Sequence, residues 1–362
     1  MVDLVYELDP KGEVFLILDN VSKDLPHNLQ DIATLSGWPD GLSNPAAPTS
    51  DENESSKRED DGSSGGIVDS TKTPECTTQR RLQIRASSKH LTLSCPQFER
   101  TFQMGFQEGT QLRTKGHLKF PIRDWEPIPF LILMLIIHHR TRLVPREVSL
   151  DSLVEIARLV DYYECYEAVE PFSDSWLVQL KIRSLSPPTY YTPSSIDEAK
   201  KCMFVSWVFN EAKAFQESSK YLEARSTGMI SFSGIPVPSM INDAINRSRQ
   251  ALIAKVVESM HDLFAKLRDG QEQCSEMCGC VLLGALTKGM HRSGILSLNS
   301  TSSLRGSASP NWRLTVATSK IRVQTTNIEK LNVGLDVSQY TKSLFPFHWD
   351  TRVFKPTVPL PS

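Results

Sequence analysis

The chain has 362 residues, 40% of them hydrophobic and 23% charged, with a formal net charge of -2. That is enough chain for two modest domains with linkers, and too little net charge to gather nucleic acid or an anionic membrane at long range. The longest unbroken apolar run, 130–137, is eight residues against the roughly 20 that cross a bilayer, so no transmembrane helix is expected.

The amino-terminal stretch carries Asp3, Glu7 and Asp9 where a secretory signal would have a basic region and an apolar run. An intracellular protein, nuclear or cytoplasmic, is expected. Seven cysteines at irregular spacing then fit reduced, buried thiols better than a disulfide framework.

Alternating Leu4, Tyr6 and Leu8, then Asp9-Pro10-Lys11-Gly12, then Val14 to Leu18 read as strand, turn, strand, with Asp, Pro and Gly where a type I turn favours them. From 20 to 79 the pattern dissolves into Ser, Pro, Gly, Asn and charge, including the acidic block 51–61. This reads as a disordered insertion, solvated rather than docked. Leu82 and Ile84 mark a further strand over Arg81 to Arg85, and Leu91 to Met104 a pair of short helical turns restarted at Cys95-Pro96.

Trp125 through His138 predicts a helix buried on most sides, with Asp124 as its cap and prolines 127 and 129 in its first turn. Leu150, Leu153, Ile156, Ala157 and Val160 predict an amphipathic helix with Ser149 and the Ser152/Glu155 pair as competing caps. Trp176, Leu177 and Leu180 mark a short helix before the proline-rich linker 184–196. The region 197–296 reads as helical: one helix through Cys202, Val205, Ala212 and Phe215, a break at Gly234 to Pro238, then a long helix with the apolar seam Ile241, Ile245, Leu252, Val256, Leu263 and Leu267. That seam needs partner helices or another chain to cover it. Residues 297–362 read as a mostly unstructured tail.

Taken in order, the strands, Ser88-Lys89-His90-Leu91, the Ser94-Cys95-Pro96-Gln97-Phe98 turn, the apolar helix, and Val160-Asp161-Tyr162-Tyr163 resemble a BTB/POZ domain. The likeness is closer to a fungal BTB subfamily with an acidic insertion and a helical carboxy-terminal region, through Gly234 to Pro238 and Cys274 and Cys278 leading into 282–290. It implies an α+β BTB/POZ fold, a small sheet flanked by a helical cluster, over 1–19 and 80–183, followed by an all-helical region over 197–296. It also implies binding to other BTB proteins, to transcriptional regulators, or to a cullin ubiquitin-ligase scaffold. The cullin binders use an apolar-x-Glu motif after the first helical pair, and Phe106, Gln107 and Glu108 occupy that place, an aromatic anchor beside one orienting carboxylate. The short lead-in before the first turn lacks the extension that many relatives exchange, so a homodimer is less favoured.

The function expected is that of a protein-interaction adaptor, with partner surfaces on the 95–108 segment and on the helical face of 197–268. The alternative is a nuclear regulatory factor that recruits transcription or chromatin partners without reading DNA itself. No phosphate loop, nucleophile elbow or zinc-protease motif stands out, so neither catalysis, a small-molecule substrate nor a cofactor is expected. Cys274, Cys278 and Cys280 with the distant His291 are poorly spaced for zinc, and no metal is expected. His138 and His139, beside Arg140 and Arg142, read as positive charge at a helix carboxy terminus. Arg80, Arg81 and Arg85, and Arg140, Arg142 and Arg146, read as solvated edges rather than phosphate contacts.

Overall fold

A computed structural model describes residues 3–21, 25–30, 80–103, 105–183, 192–271, 275–292 and 295–296. Its described part is a mixed α/β structure with one four-stranded sheet and ten α-helices. The chain packs as two compact units, Met1–Val169 and Glu170–Ser362.

In the first unit the strands are β1 (Asp3–Glu7), β2 (Val14–Val21), β3 (Arg80–Ala86) and β4 (Leu118–Ile122). The two amino-terminal strands do not pair with each other: the sheet order is β1-β3-β2-β4, with β3 antiparallel to β2 and parallel to β1, and β4 parallel to β2. Side-chain pattern explains the placement. β1 buries Leu4 and Tyr6 and exposes Val5 and Glu7, as an edge strand can. β2 buries Val14, Leu16 and Leu18 while Phe15 and Ile17 are half-buried on its other face, which suits the interior of the sheet.

The turn between β1 and β2 forms as its sequence requires: the Asp9 carboxylate accepts from the Lys11 N–H at 2.9 Å, and the Gly12 N–H donates to the Asp9 carbonyl at 2.9 Å. A side chain at position 12 would place its Cβ 2.5 Å from the Ala86 carbonyl, so only glycine lets the turn lie against the end of β3. The insertion starts in contact with this sheet. Val21 and Leu25 are buried and the Tyr6 hydroxyl donates to the Pro26 carbonyl. Residues 31–79 and 297–362, and with them most of the expected insertion and tail, lie outside the described residues.

The helices of this unit are α1 (Ser88–Ser94), α2 (Pro96–Phe102), α3 (Gln107–Lys115), α4 (Pro127–Ile137) and α5 (Leu150–Tyr163), with α3 against β4 and α4 against α1 and α5. Every residue from Pro129 to Ile137 is buried, as the apolar run predicts. The cap does not follow expectation: α4 starts two residues later than Trp125, with Glu126 at its N-cap, while Asp124 sits in a left-handed turn at φ 63°. Proline at the first helical position sets this start, since its ring supplies the helical φ and needs no donor. The competing caps of α5 resolve to Ser149, whose hydroxyl accepts from the Ser152 N–H at 3.1 Å.

A longer helix than expected, α6 (Tyr166–Gln179), with Pro171 inside it, buries Trp176 and Leu177, which belong to the second unit. There α7 (Ile196–Val208), capped by the Ser195 hydroxyl, and α8 (Ala212–Arg225) replace the one helix expected through Cys202 and Phe215. The break has a local cause: Asn210 takes a left-handed φ of 56°, and the Glu211 N–H returns to the Ser206 carbonyl at 2.7 Å. The long helix is α9 (Ser239–Arg268), followed by α10 (Glu276–Arg292). Ile241, Ile245, Leu252, Val256 and Leu267 of its seam are buried. Within the unit α9 packs against α8 and α10, and on the face next to the seam Val257, Met290 and Ile295 form a core with Ile253, Met260, Phe264 and Leu286 around it.

Candidate protein-binding surface

The segment expected to meet a partner is built from α1, α2 and α3. In α1, Leu91 is buried and Leu93 is 83% exposed. Cys95 ends α1 and begins α2, its N–H donating to the Leu91 carbonyl and its carbonyl accepting from the Glu99 N–H, both at 3.0 Å. Phe98 then fixes α2 to the body of the unit. Its ring stacks on Tyr163 with centroids 4.7 Å apart, while Arg100 makes a two-pronged pair with Glu164 at 3.0 Å to each oxygen.

Phe106 is the N-cap of α3, and its ring is 56% exposed. Its backbone is nonetheless held, because its carbonyl accepts from both the N–H and the hydroxyl of Thr110 at 3.1 Å. Gln107 is exposed and Glu108 half-buried in the first turn of α3. Gly109 is buried, and a Cβ there would stand 2.3 Å from the Phe102 carbonyl and 2.5 Å from that of Gln103. Glycine therefore lets the start of α3, with Phe106 and Glu108, approach the end of α2 closely.

Sequence reading treats the stretch after Phe106 as part of a motif and finds neither α3 nor β4. The signals for α3 are polar: Glu108 in the first turn, Arg113 and Lys115 in the last, and Gly116 in the left-handed cap at φ 71°. With few apolar residues to repeat, no helical period shows. In β4, Pro121 interrupts the five-residue pattern LKFPI, and its place on the sheet edge tolerates the missing donor.

His138 is buried and differs from the charged cap expected of it. The Ser87 N–H donates to its Nε2 at 3.0 Å, so Nδ1 carries the proton and donates to the Met134 carbonyl at 2.9 Å. Burial, with His90 and Arg140 nearby, pushes its pKa down to about 4 against the opposing pull of the Met134 carbonyl and Asp9. The ring is thus a neutral clasp between the end of α4 and the start of α1.

The basic residues near the sheet are largely engaged within the unit. Arg81 meets Asp19 at 2.8 Å, Arg85 meets the Gly12 carbonyl at 2.9 Å and Glu7 at 3.3 Å, and Arg140 donates twice to the Leu8 carbonyl, at 2.7 and 3.1 Å. Arg142 and Arg146 are exposed.

Among the described residues of the second unit, the exposed large apolar side chains are Met229 and Met240 before and at the start of α9, Met277, Val281 and Leu282 on α10, and Leu296 after it. Cys278 is half-buried and Cys280 exposed on α10, about 200° apart around the helix, while Cys274 lies outside the described residues. Among the described residues no three His, Cys, Asp or Glu side chains gather as a metal site, and no helix is long and apolar enough to cross a membrane. No protein-family model, curated protein or solved structure matches this chain at a significant level.

Proposed function

We propose that the chain is a protein-interaction adaptor of the BTB/POZ type, acting by binding rather than by catalysis, with α2 and α3 as its principal partner surface. The observation that carries this reading is Phe106: a large aromatic ring, 56% exposed, at the start of a helix whose approach to α2 requires Gly109. An aromatic side chain with a fixed backbone loses little freedom on entering a partner's pocket, and Glu108 beside it supplies one orienting charge. A small four-stranded sheet in one unit with α1 to α5, followed by further helices, supports the family reading.

The partner class is another BTB protein or a cullin-type scaffold. Affinity purification of the full chain from cells, read by mass spectrometry, tests this. Phe106→Ala and Glu108→Lys should each weaken the main partner at least about tenfold, the loss typical of an interface anchor, with circular dichroism unchanged. If both variants capture the same partners as the wild type, α3 is not the interface.

A further inference from the structure

One face of the first unit's sheet is buried and the other is open. Tyr6, Leu82, Ile84, Leu16 and Leu118 are buried, while their neighbours along each strand are exposed or half-buried. The pairing registers line up those outward residues in two rows that cross all four strands: Glu7, Arg85, Phe15 and Lys119 in one, and Val5, Gln83, Ile17 and Pro121 in the next. Beyond the second row Arg81 meets Asp19 at 2.8 Å, and the exposed Arg123 follows the end of β4.

A solvated sheet face ordinarily carries polar side chains. This one carries Val5, 49% exposed, the exposed Pro121, and the half-buried Phe15 and Ile17 between them. Its charges are ordered as well. Glu7 stands on one edge strand and Lys119 on the other, in the same row, and between them Arg85 reaches Glu7 at 3.3 Å and lies over the Phe15 ring at 5.7 Å.

We propose that this face docks a second copy of the chain, sheet on sheet, about a two-fold axis that runs along the strands. Such an axis lays β1 of one copy over β4 of the other, and β3 over β2, with each row opposite itself. Glu7 then faces Lys119 of the other copy, Arg85 faces Phe15, Val5 faces Pro121 and Gln83 faces Ile17, and each contact occurs twice. No like charges meet in these rows. The other two-fold axis, across the strands, reverses the rows and sets Arg85 against Arg81 and Lys119 against Arg123, so charge selects the first arrangement. Sheets packed in this aligned way stand about 10 Å apart, a gap that glutamate and lysine side chains at the rim span together.

Area sets the strength. Four strands about 4.8 Å apart and five residues of about 3.3 Å each make a face of roughly 320 Å², against the ~800 Å² per partner of a standard interface. The dimer is therefore weak and reversible. It exchanges no strand and uses neither Phe106 nor Glu108, so it stands apart from the partner surface proposed above.

Sedimentation of the full chain across a dilution series tests this. The wild type should pass reversibly from monomer to dimer as its concentration rises. Lys119→Glu and Glu7→Lys each set like charges face to face in both symmetry-related contacts, and each should weaken the dimer roughly tenfold or more, with circular dichroism unchanged. The variant carrying both substitutions restores opposite charges across the interface and should recover most of the association, which a merely structural effect of either change would not do. Phe106→Ala should leave the dimer as it is. A chain that stays monomeric throughout, a dimer indifferent to both single reversals, a double variant no better than the singles, or a dimer lost with Phe106→Ala would overturn the proposal.

Discussion

His138 and Glu223 are both buried and titratable, and they set opposite pH limits on the two units. The unfolded chain protonates His138 from about pH 6.5 downward, whereas the folded ring resists until about 4. Its contribution is therefore complete above pH 6.5 and is lost as the pH falls through 4, in all roughly 3 kcal/mol. His138→Gln should flatten that acid limb, read from hydrogen exchange of α1 and α4 at pH 4.5 and pH 7 after correction for intrinsic rates.

Glu223 on α8 behaves in the reverse sense. Burial pushes its carboxyl up to about 7; the Ser248 hydroxyl on α9 and the Lys220 ammonium offset this only in part, and neither carboxyl oxygen has an aligned donor. The unfolded carboxyl ionises from about pH 4.5 upward, so the stability that Glu223 contributes is complete below that value and lost as the pH rises through 7. Glu223→Gln should leave α8 and α9 more protected than in the wild type at pH 8, by up to roughly 3 kcal/mol, and little different at pH 4.5. At the same scale, Gly109→Ala forces the α2–α3 backbones apart and should cost about 2 kcal/mol in urea denaturation, with partner capture weakened in step.

At the scale of elements, the interior of each unit hangs on one helix. Leu133 is fully buried near the middle of α4, so Leu133→Ala should cost about 3 kcal/mol through lost burial and a cavity, measured as a shift in the urea midpoint. In the second unit, Asn246 clasps the chain before α9: its oxygen accepts from the Ile230 N–H at 2.8 Å, and its nitrogen donates to the Ile230 and Asn242 carbonyls at 2.9 and 2.8 Å. Elements with a strong apolar signature are those most legible in the sequence. The run 130–137 identifies α4, the hydroxyl at 149 and the period after it identify α5, and the seam from Ile241 identifies α9. What escapes is set by polar or non-local physics. The helix α3 is specified by charges and a glycine cap, the break at Asn210 by one left-handed residue, and the insertion of β3 between β1 and β2 by a pairing across the whole 20–79 segment. Strand pattern reports which face is buried but not which strand lies beside it.

For the whole molecule, the candidate site was half legible. Phe106, Gln107 and Glu108 stand out as residues, but the feature that makes them a surface, the close α2–α3 approach through Gly109, depends on packing that the sequence does not display. The seam of α9 shows the converse: from sequence it needs a cover of unspecified origin, and within this chain Ile241, Ile245, Leu252, Val256 and Leu267 are already buried. The exposed large apolar residues described in the second unit are instead Met277, Val281 and Leu282 on α10, together with Met229, Met240 and Leu296. Two surfaces, one on each unit, thus compete for the role of principal interface. The adaptor account favours α3, where an aromatic anchor, a carboxylate and a close approach to α2 occur together. Hydrogen exchange of the full chain, free and bound to its affinity-captured partner, separates them most directly. The account predicts new protection over 105–115 with α10 unchanged; protection confined to 276–292, with none on α3, would contradict it.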